Sequence, residues 1–256
     1  MTPVNALAAK ELRTNLVSPI VYVVGAVFLF IFGLLAYVFL VNAGLIAVRE
    51  MQFQNAIAQL NLNDLMFRPI FGFMVFLLML IIPLLTMRVL AEEKKLRTYE
   101  MLMTAPIHLH EVVVGKFLAL LAIFLGLLAC TMIVPASMSI YSSFDWRTVW
   151  TGYLGITLVG ALFLSVGLFT SSLTENQIIA SMISFGLLFM VWLLGALGAI
   201  MGDTTFGHVL SYLSFVEHFD RLNKGLVESK DLIYFASGII FMLFLTYRVV
   251  ESQRWK

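Results

Sequence analysis

Charge is what this sequence has least of: Asp, Glu, Lys and Arg make up 12% of its 256 residues, whereas 61% are hydrophobic, and the mean hydropathy is +0.97. Soluble domains carry roughly a quarter of their residues charged, so the deficit excludes a water-soluble fold and places the chain in a membrane. The single cysteine, Cys130, lies in an apolar run and permits no intramolecular disulfide. There is no Pro-rich linker, low-complexity tract or internal repeat, and the chain reads as one membrane domain over 1–256. Sixteen basic side chains nearly balance fifteen acidic ones, a charge that gives no field for nucleic acid.

Catalytic and nucleotide-binding patterns are missing as well. Gly115-Lys116 is followed by Phe117 and lacks the upstream glycine of a phosphate-binding loop. No H-E-x-x-H occurs, and His108-Leu109-His110 sets two imidazoles about 200° apart on a helix, a poor chelate; they read as solvated interface histidines. No G-x-S-x-G is present. The chain is therefore expected to be non-catalytic, with no cofactor or metal of its own. Six spans would leave too little sequence for a soluble catalytic domain, so an ATP-driven motor would have to be a separate chain.

What is present is six charge-free stretches, which predict spans near 20–41, 70–89, 117–138, 150–172, 178–200 and 231–248. The last is the shortest, with Asp231 and Arg248 expected to reach the interfaces. With the N-terminus inside, the cytoplasmic side holds ten basic residues (Lys10, Arg13, Arg88, Lys94, Lys95, Arg97, Lys116, Arg248, Arg254, Lys256) and the other side six (Arg49, Arg68, Arg147, Arg221, Lys224, Lys230). That bias predicts both termini in the cytoplasm. The first helix is expected to be retained rather than cleaved. The outer connections, about 43–69 and 201–230, contain apolar turns that suit small capping helices.

No ionisable residue falls in a span core as assigned, which argues against an ion-coupled carrier. Thr157, Ser165, Ser181, Ser184, Cys130 and Thr131 are read as helix–helix hydrogen-bonding groups ahead of a lining for a translocation path. Glycines concentrate in the later spans, and Gly198-Ala-Ile-Met-Gly202 forms a G-x-x-x-G that is a candidate dimer contact.

Two inner segments have helical patterning. Val4, Leu7, Ala8, Leu12 and Leu16 make an apolar stripe opposite Lys10, Arg13 and Thr14, with Glu11 at the apolar edge. This is either a short amphipathic interfacial helix or a basic flank that anchors orientation. The stretch 88–116 is more informative. Leu96, Tyr99 and Met103 share one helical face, Glu93, Arg97, Glu100 and Thr104 line the next, and Pro106 ends the helix. Such a helix suits docking against a soluble partner; the alternative is a solvated charge run beside the membrane.

The run from Arg88 to Lys116, RVLAEEKKLRTYEMLMTAPIHLHEVVVGK, resembles the signature of ABC-2 type transporter permeases at Glu93, Thr98, Glu100, Leu102, Pro106, Glu111, Gly115 and Lys116. It departs at Arg97, where that family usually has glycine, which favours continuous helix there. Ser214 to Phe235 is similar, more narrowly, to the gliding-motility type ABC permeases, through His218-Phe219, Gly225 and Asp231-Leu-Ile-Tyr234-Phe235. The resemblance implies an all-α integral membrane fold of six transmembrane helices with a cytoplasmic coupling helix between the second and third. It implies a multi-pass protein of the bacterial inner membrane, and a permease that pairs with a second permease chain, the same or different. ABC ATPase subunits carrying ATP-Mg would be separate chains, and an auxiliary protein with a large periplasmic domain would be a neighbour. Carried onto this sequence, Glu92, Glu93, Leu96, Arg97, Tyr99, Glu100 and Met103 would form the ATPase-coupling face. The competing readings are an ATP-independent scaffold of an envelope complex and a channel or carrier working alone.

Overall fold

A computed structural model describes residues 3–52, 63–96, 108–140, 144–202 and 204–253. The described residues fold into helices without strands. In chain order they are α1 (Pro3–Val17), α2 (Pro19–Gln52), a π-helical turn Asn63–Phe67 running into α3 (Arg68–Thr86), and α4 (Ala91–Lys95). These are followed by α5 (Leu109–Thr131), α6 (Ile133–Met138), α7 (Trp146–Leu173), α8 (Gln177–Met201), α9 (Thr205–Leu213), α10 (Phe215–Asn223) and α11 (Ser229–Ser252). Among the described residues, six helical stretches are long and apolar enough to cross a membrane: Pro19–Ile46, Asn63–Lys95, Leu109–Met138, Trp146–Leu173, Gln177–Met201 and Ser229–Ser252.

Local chemistry sets most boundaries. Asp145 accepts a bond from the Arg147 amide at 2.9 Å at the start of α7, and Asn176 from the Ile178 amide at 2.9 Å at the start of α8. Helix α5 stops at Thr131 because Pro135, four residues on, supplies no N–H for the Thr131 carbonyl and crowds it. Two predicted boundaries move. Helix α2 runs on to Gln52, eleven residues past the expected end at 41, so 43–52 is helix rather than loop. Helix α5 begins at Leu109 rather than 117, so Lys116 lies two turns inside it.

Helix α7 is the axis of the bundle. Its most apolar window is 78% buried, against 17% for α8 and α11 and 22% for α2. It packs against α3, α5, α8, α10 and α11. Its glycines permit the approach: a Cβ at Gly160 would lie 2.3 Å from the Phe124 ring on α5, and one at Gly167 2.1 Å from Thr86 Oγ1 on α3. Around it lies one continuous core that includes Phe71, Met74, Leu78, Phe124, Tyr153, Phe163, Phe215 and Phe235. Burial of this apolar area is the main driving force for helix packing only where the alternative is water; inside lipid, dispersion and close fit take over.

The weakly polar residues mostly bond their own helix. Ser165 donates to the Leu162 carbonyl at 2.7 Å, Thr157 to Tyr153 at 2.8 Å and Ser181 to Ile178 at 2.8 Å. Among them only the Thr131–Tyr153 hydroxyl pair, 3.2 Å apart, joins two helices among the described residues. Local back-bonding satisfies a hydroxyl in lipid without any partner helix, so helix bonding through these groups is largely intrahelical.

Between α8 and α11 the expected small helices are α9 and α10, and they form a hairpin. Helix α9 runs back along the end of α8: a Cβ at Gly198 would lie 2.3 Å from Ser211 Oγ and 3.0 Å from the Gly207 carbonyl, and one at Gly195 2.6 Å from Ser214 Oγ. Gly198 thus makes its close approach within the chain, and Gly202 ends α8 with φ of 58°. Helix α10 then climbs beside α7, where Gly155 faces Phe219 and Leu222.

Candidate coupling site

Helix α4 sits where α1, α3, α5, α7 and α11 converge. Both described ends of the chain lie at this end of the bundle, because Glu11 of α1 and Gln253 beyond α11 both reach it. Its centre is the Lys116 ammonium, 1% exposed. Lys116 Nζ donates to Glu93 Oε1 at 2.5 Å, to Glu11 Oε1 at 3.0 Å and to the Val89 carbonyl at 3.2 Å. An ammonium has three donors, and all three are used. A buried cation is tolerable only with such matching.

The rest of the platform is held as closely. Arg88 forks onto Glu92, Nε to Oε2 at 2.8 Å and Nη2 to Oε1 at 3.3 Å, and its Nη1 donates to Ser18 Oγ at 2.5 Å, where α1 turns into α2. Ser171 Oγ, fully buried on α7, accepts from the Leu90 and Ala91 amides at 3.1 Å each and donates to the Met87 carbonyl at 3.1 Å. Those amides open α4 and have no partner within it. Lys94 Nζ donates to the Ser172 carbonyl, to which Gln253 also donates at 3.4 Å. Gly115 completes the fit, since a Cβ there would stand 3.0 Å from Leu7 Cδ2 of α1.

Of the predicted coupling residues, Glu92, Glu93 and Leu96 are described, while Arg97, Tyr99, Glu100 and Met103 lie outside the described residues. Glu92 and Glu93 bond to Arg88 and Lys116, and Leu96 is 63% exposed at the end of α4. Sequence reading gave no role to Ser171 and placed Lys116 at a helix end. The available signal was Glu11, an acid at the edge of an apolar stripe, which the structure explains by its bond to Lys116.

A second polar group, outside the platform, fastens the α9–α10 hairpin to α11. His218 Nδ1 lies 2.7 Å from Asp231 Oδ1, and His218 Nε2 lies 3.0 Å from the Tyr212 carbonyl. Arg221 donates to Asp231 at 2.6 Å through Nη2 and to Glu217 at 2.7 Å through Nη1. The Asp231 bonds, ahead of the Glu217 bond, hold the Arg221 guanidinium above its ordinary range. The Tyr234 ring stacks on His218 at 4.0 Å and its hydroxyl donates to the Leu213 carbonyl at 2.7 Å. Asp231 is fully buried in the first turn of α11, and His218 and Arg221 supply its donors. Lys116 and Asp231 are thus buried ionisable groups, and both are matched by partners of this chain. His218, Phe219, Gly225, Asp231, Tyr234 and Phe235, quoted above as scattered landmarks, have a physical reason. Phe219 and Phe235 are core, and Gly225, with φ of 85°, ends α10 with the Leu226 amide bonded to the Arg221 carbonyl at 3.0 Å.

Comparison with known families gives one finding: residues 5–250 match the family described as ABC-2 family transporter protein. No curated protein matches the chain.

Proposed function

The chain belongs to the ABC-2 transporter family, and on that premise we propose that it couples ATP hydrolysis on separate ATPase subunits to export or conformational work across a bacterial inner membrane. As a multi-pass ABC permease it has the six apolar helices this role needs. The observation that carries the proposal is the Lys116 node: α4, from whose end the segment 97–107 continues, is tied at once to α1 and α5 through Lys116 and to α7 through Ser171. A push on that segment reaches three helices through matched polar contacts, and α7 is the bundle axis. In this reading the platform faces the cytoplasm, and Leu96, Arg97, Tyr99, Glu100 and Met103 meet the ATPase. Glu92 and Glu93 keep the platform rigid behind them. A second permease chain completes the transporter, with the Gly202 end of α8 as a proposed point of contact; an auxiliary periplasmic protein and kinship with the gliding-motility permeases belong to the same proposal.

Co-purification tests it. The chain should bring down an ATPase whose rate falls when Glu100 is reversed to Lys, with the complex still formed by a Leu96→Met control. Recovery of an intact envelope complex without ATPase would leave the scaffold reading instead.

A further inference from the structure

An apolar groove of about 520 Å³ runs between α1, the first half of α2 and the second half of α5, a size that suits a ligand chain rather than a packing defect. Its lining includes Leu12 and Leu16 of α1, Gly25 and Leu29 of α2, and Gly126 and Cys130 of α5. Two glycines make it. At Gly25 a Cβ would lie 2.9 Å from Leu127 Cδ2, so the helices touch there, whereas at Gly126 a Cβ would meet nothing within 4 Å. Helix α2 is only 22% buried in its most apolar window, so the groove beside it is not closed over by the bundle. The groove has almost no polar lining to hold water. It lies along two membrane-crossing helices, where the surrounding medium is hydrocarbon. From Val21 to Leu29 it extends about 12 Å at helical rise, a length that a linear chain fills and a globular ligand does not.

The charge at one end identifies the class of lipid. Arg13 follows Leu12 on α1, about 80° round the helix from the mean direction of Leu12 and Leu16, and its long stem reaches the groove end. It is exposed and carries no ion pair among the described residues, whereas Lys10 lies on the far face of α1 and acts on Glu93. Glu11, the one acid of α1, is bonded to Lys116. The groove end therefore has one cation within reach whose nearest acid on the same helix is already bonded. Tyr22, 61% exposed, lines the groove, and an amphipathic ring of this kind suits the headgroup level.

We propose that this groove is a binding site for an anionic phospholipid, one acyl chain lying along Gly25 and Gly126 and the phosphate held by Arg13. The site is separate from the coupling platform's ion pairs, yet it rests on the same α1. A bound lipid fills the gap between α2 and α5 and holds α1 from the side opposite Lys116.

The test is native mass spectrometry of the full chain released from nanodiscs of equal palmitoyl-oleoyl phosphatidylglycerol and phosphatidylcholine. The wild type should retain one more lipid than Gly126→Leu, whose side chain grows into the open space, while Gly126→Ala keeps that lipid. Phosphatidylglycerol should predominate several-fold in the retained pool, and Arg13→Gln should bring the two lipids to parity while the acyl chain stays bound. Equal retention by the wild type and Gly126→Leu overturns the proposal, as does retention of phosphatidylcholine by the wild type to the same extent. Efficient Cys130–Cys130 cross-linking in bilayers overturns it too, because a second copy would then occupy the groove. Should Gly126→Leu not fold, Leu16→Phe fills the groove from the opposite side and is held to the same outcomes.

Discussion

Lys116 and Glu93 meet at 2.5 Å in a site where the lysine is 1% exposed, and the bond fastens the start of α5 to α4. Glu11 accepts a second hydrogen bond from the same ammonium at 3.0 Å. Removing the cation leaves two carboxylates facing each other with little water, and removing one partner of a buried pair costs about 3–5 kcal/mol. Lys116→Met should therefore lower the thermal midpoint in detergent sharply. The triple variant Lys116→Met, Glu93→Gln, Glu11→Gln should recover much of the loss, because no uncompensated charge remains. A Lys116→Met protein that melts like the wild type would remove the node from the account.

Ser171→Ala deletes the acceptor for two buried amides and a donor to Met87. Leaving buried N–H groups unbonded costs on the order of 1–3 kcal/mol. If the ATPase docks on the segment beyond α4, the ATPase should still co-purify while its stimulation drops, since α4 is then loosened from the axis helix. Unchanged stimulation with a lowered midpoint would make Ser171 a stability residue only.

Gly160 and Gly186 should respond oppositely to the same change. At Gly160 a Cβ would lie 2.3 Å from the Phe124 ring, whereas at Gly186 it would meet nothing within 4 Å. Gly160→Ala is expected to cost roughly 1–3 kcal/mol through overpacking. Gly186→Ala should be neutral or stabilise by about 0.4–1 kcal/mol through the unfolded state. Thermal melts of both variants check the contrast.

Arg221→Ala should free the α9–α10 hairpin, read as faster proteolysis within 203–228. Arg221→Lys should protect only in part, because a point charge cannot fork onto Asp231 and Glu217 together. The Arg221 folded-state pKa is raised, so its contribution is complete below the unfolded value and is lost only as pH climbs through the folded one. Protection of the hairpin by Arg221 should therefore be constant across the neutral range, and a cleavage rate that rises between pH 6 and 8 in wild type but not in Arg221→Ala would contradict this.

The six apolar helices were legible because a charge in lipid is costly enough to leave clean windows in the sequence. The boundaries were less so, for a specific reason. Helix α5 continues through Glu111 and Lys116, and what allows the lysine is Glu11, 105 positions earlier, which no local window can see. The same limit hid Ser171, an unremarked serine until its 81-residue separation from Leu90 closes in the fold. Glu11 was visible as an anomaly on the stripe of α1. The burial of Asp231 was hidden in the same way, because the donors that allow it come from α10.

The α4 platform is built from pieces made at widely different times: Glu11 early, Glu93 and Lys116 in the first half, Ser171 and Ser172 well into the second, and Gln253 at the last. A chain still emerging, or one cut short before α7, can pair the acids of α4 with Arg88 and Lys116 but lacks Ser171 and Ser172, which hold the opening amides of α4 and Lys94 to the axis helix. The platform thus reports that synthesis and insertion have passed α7. Unfinished or damaged copies would present a slack handle, and an energy-consuming partner that needs a rigid one would pass them over.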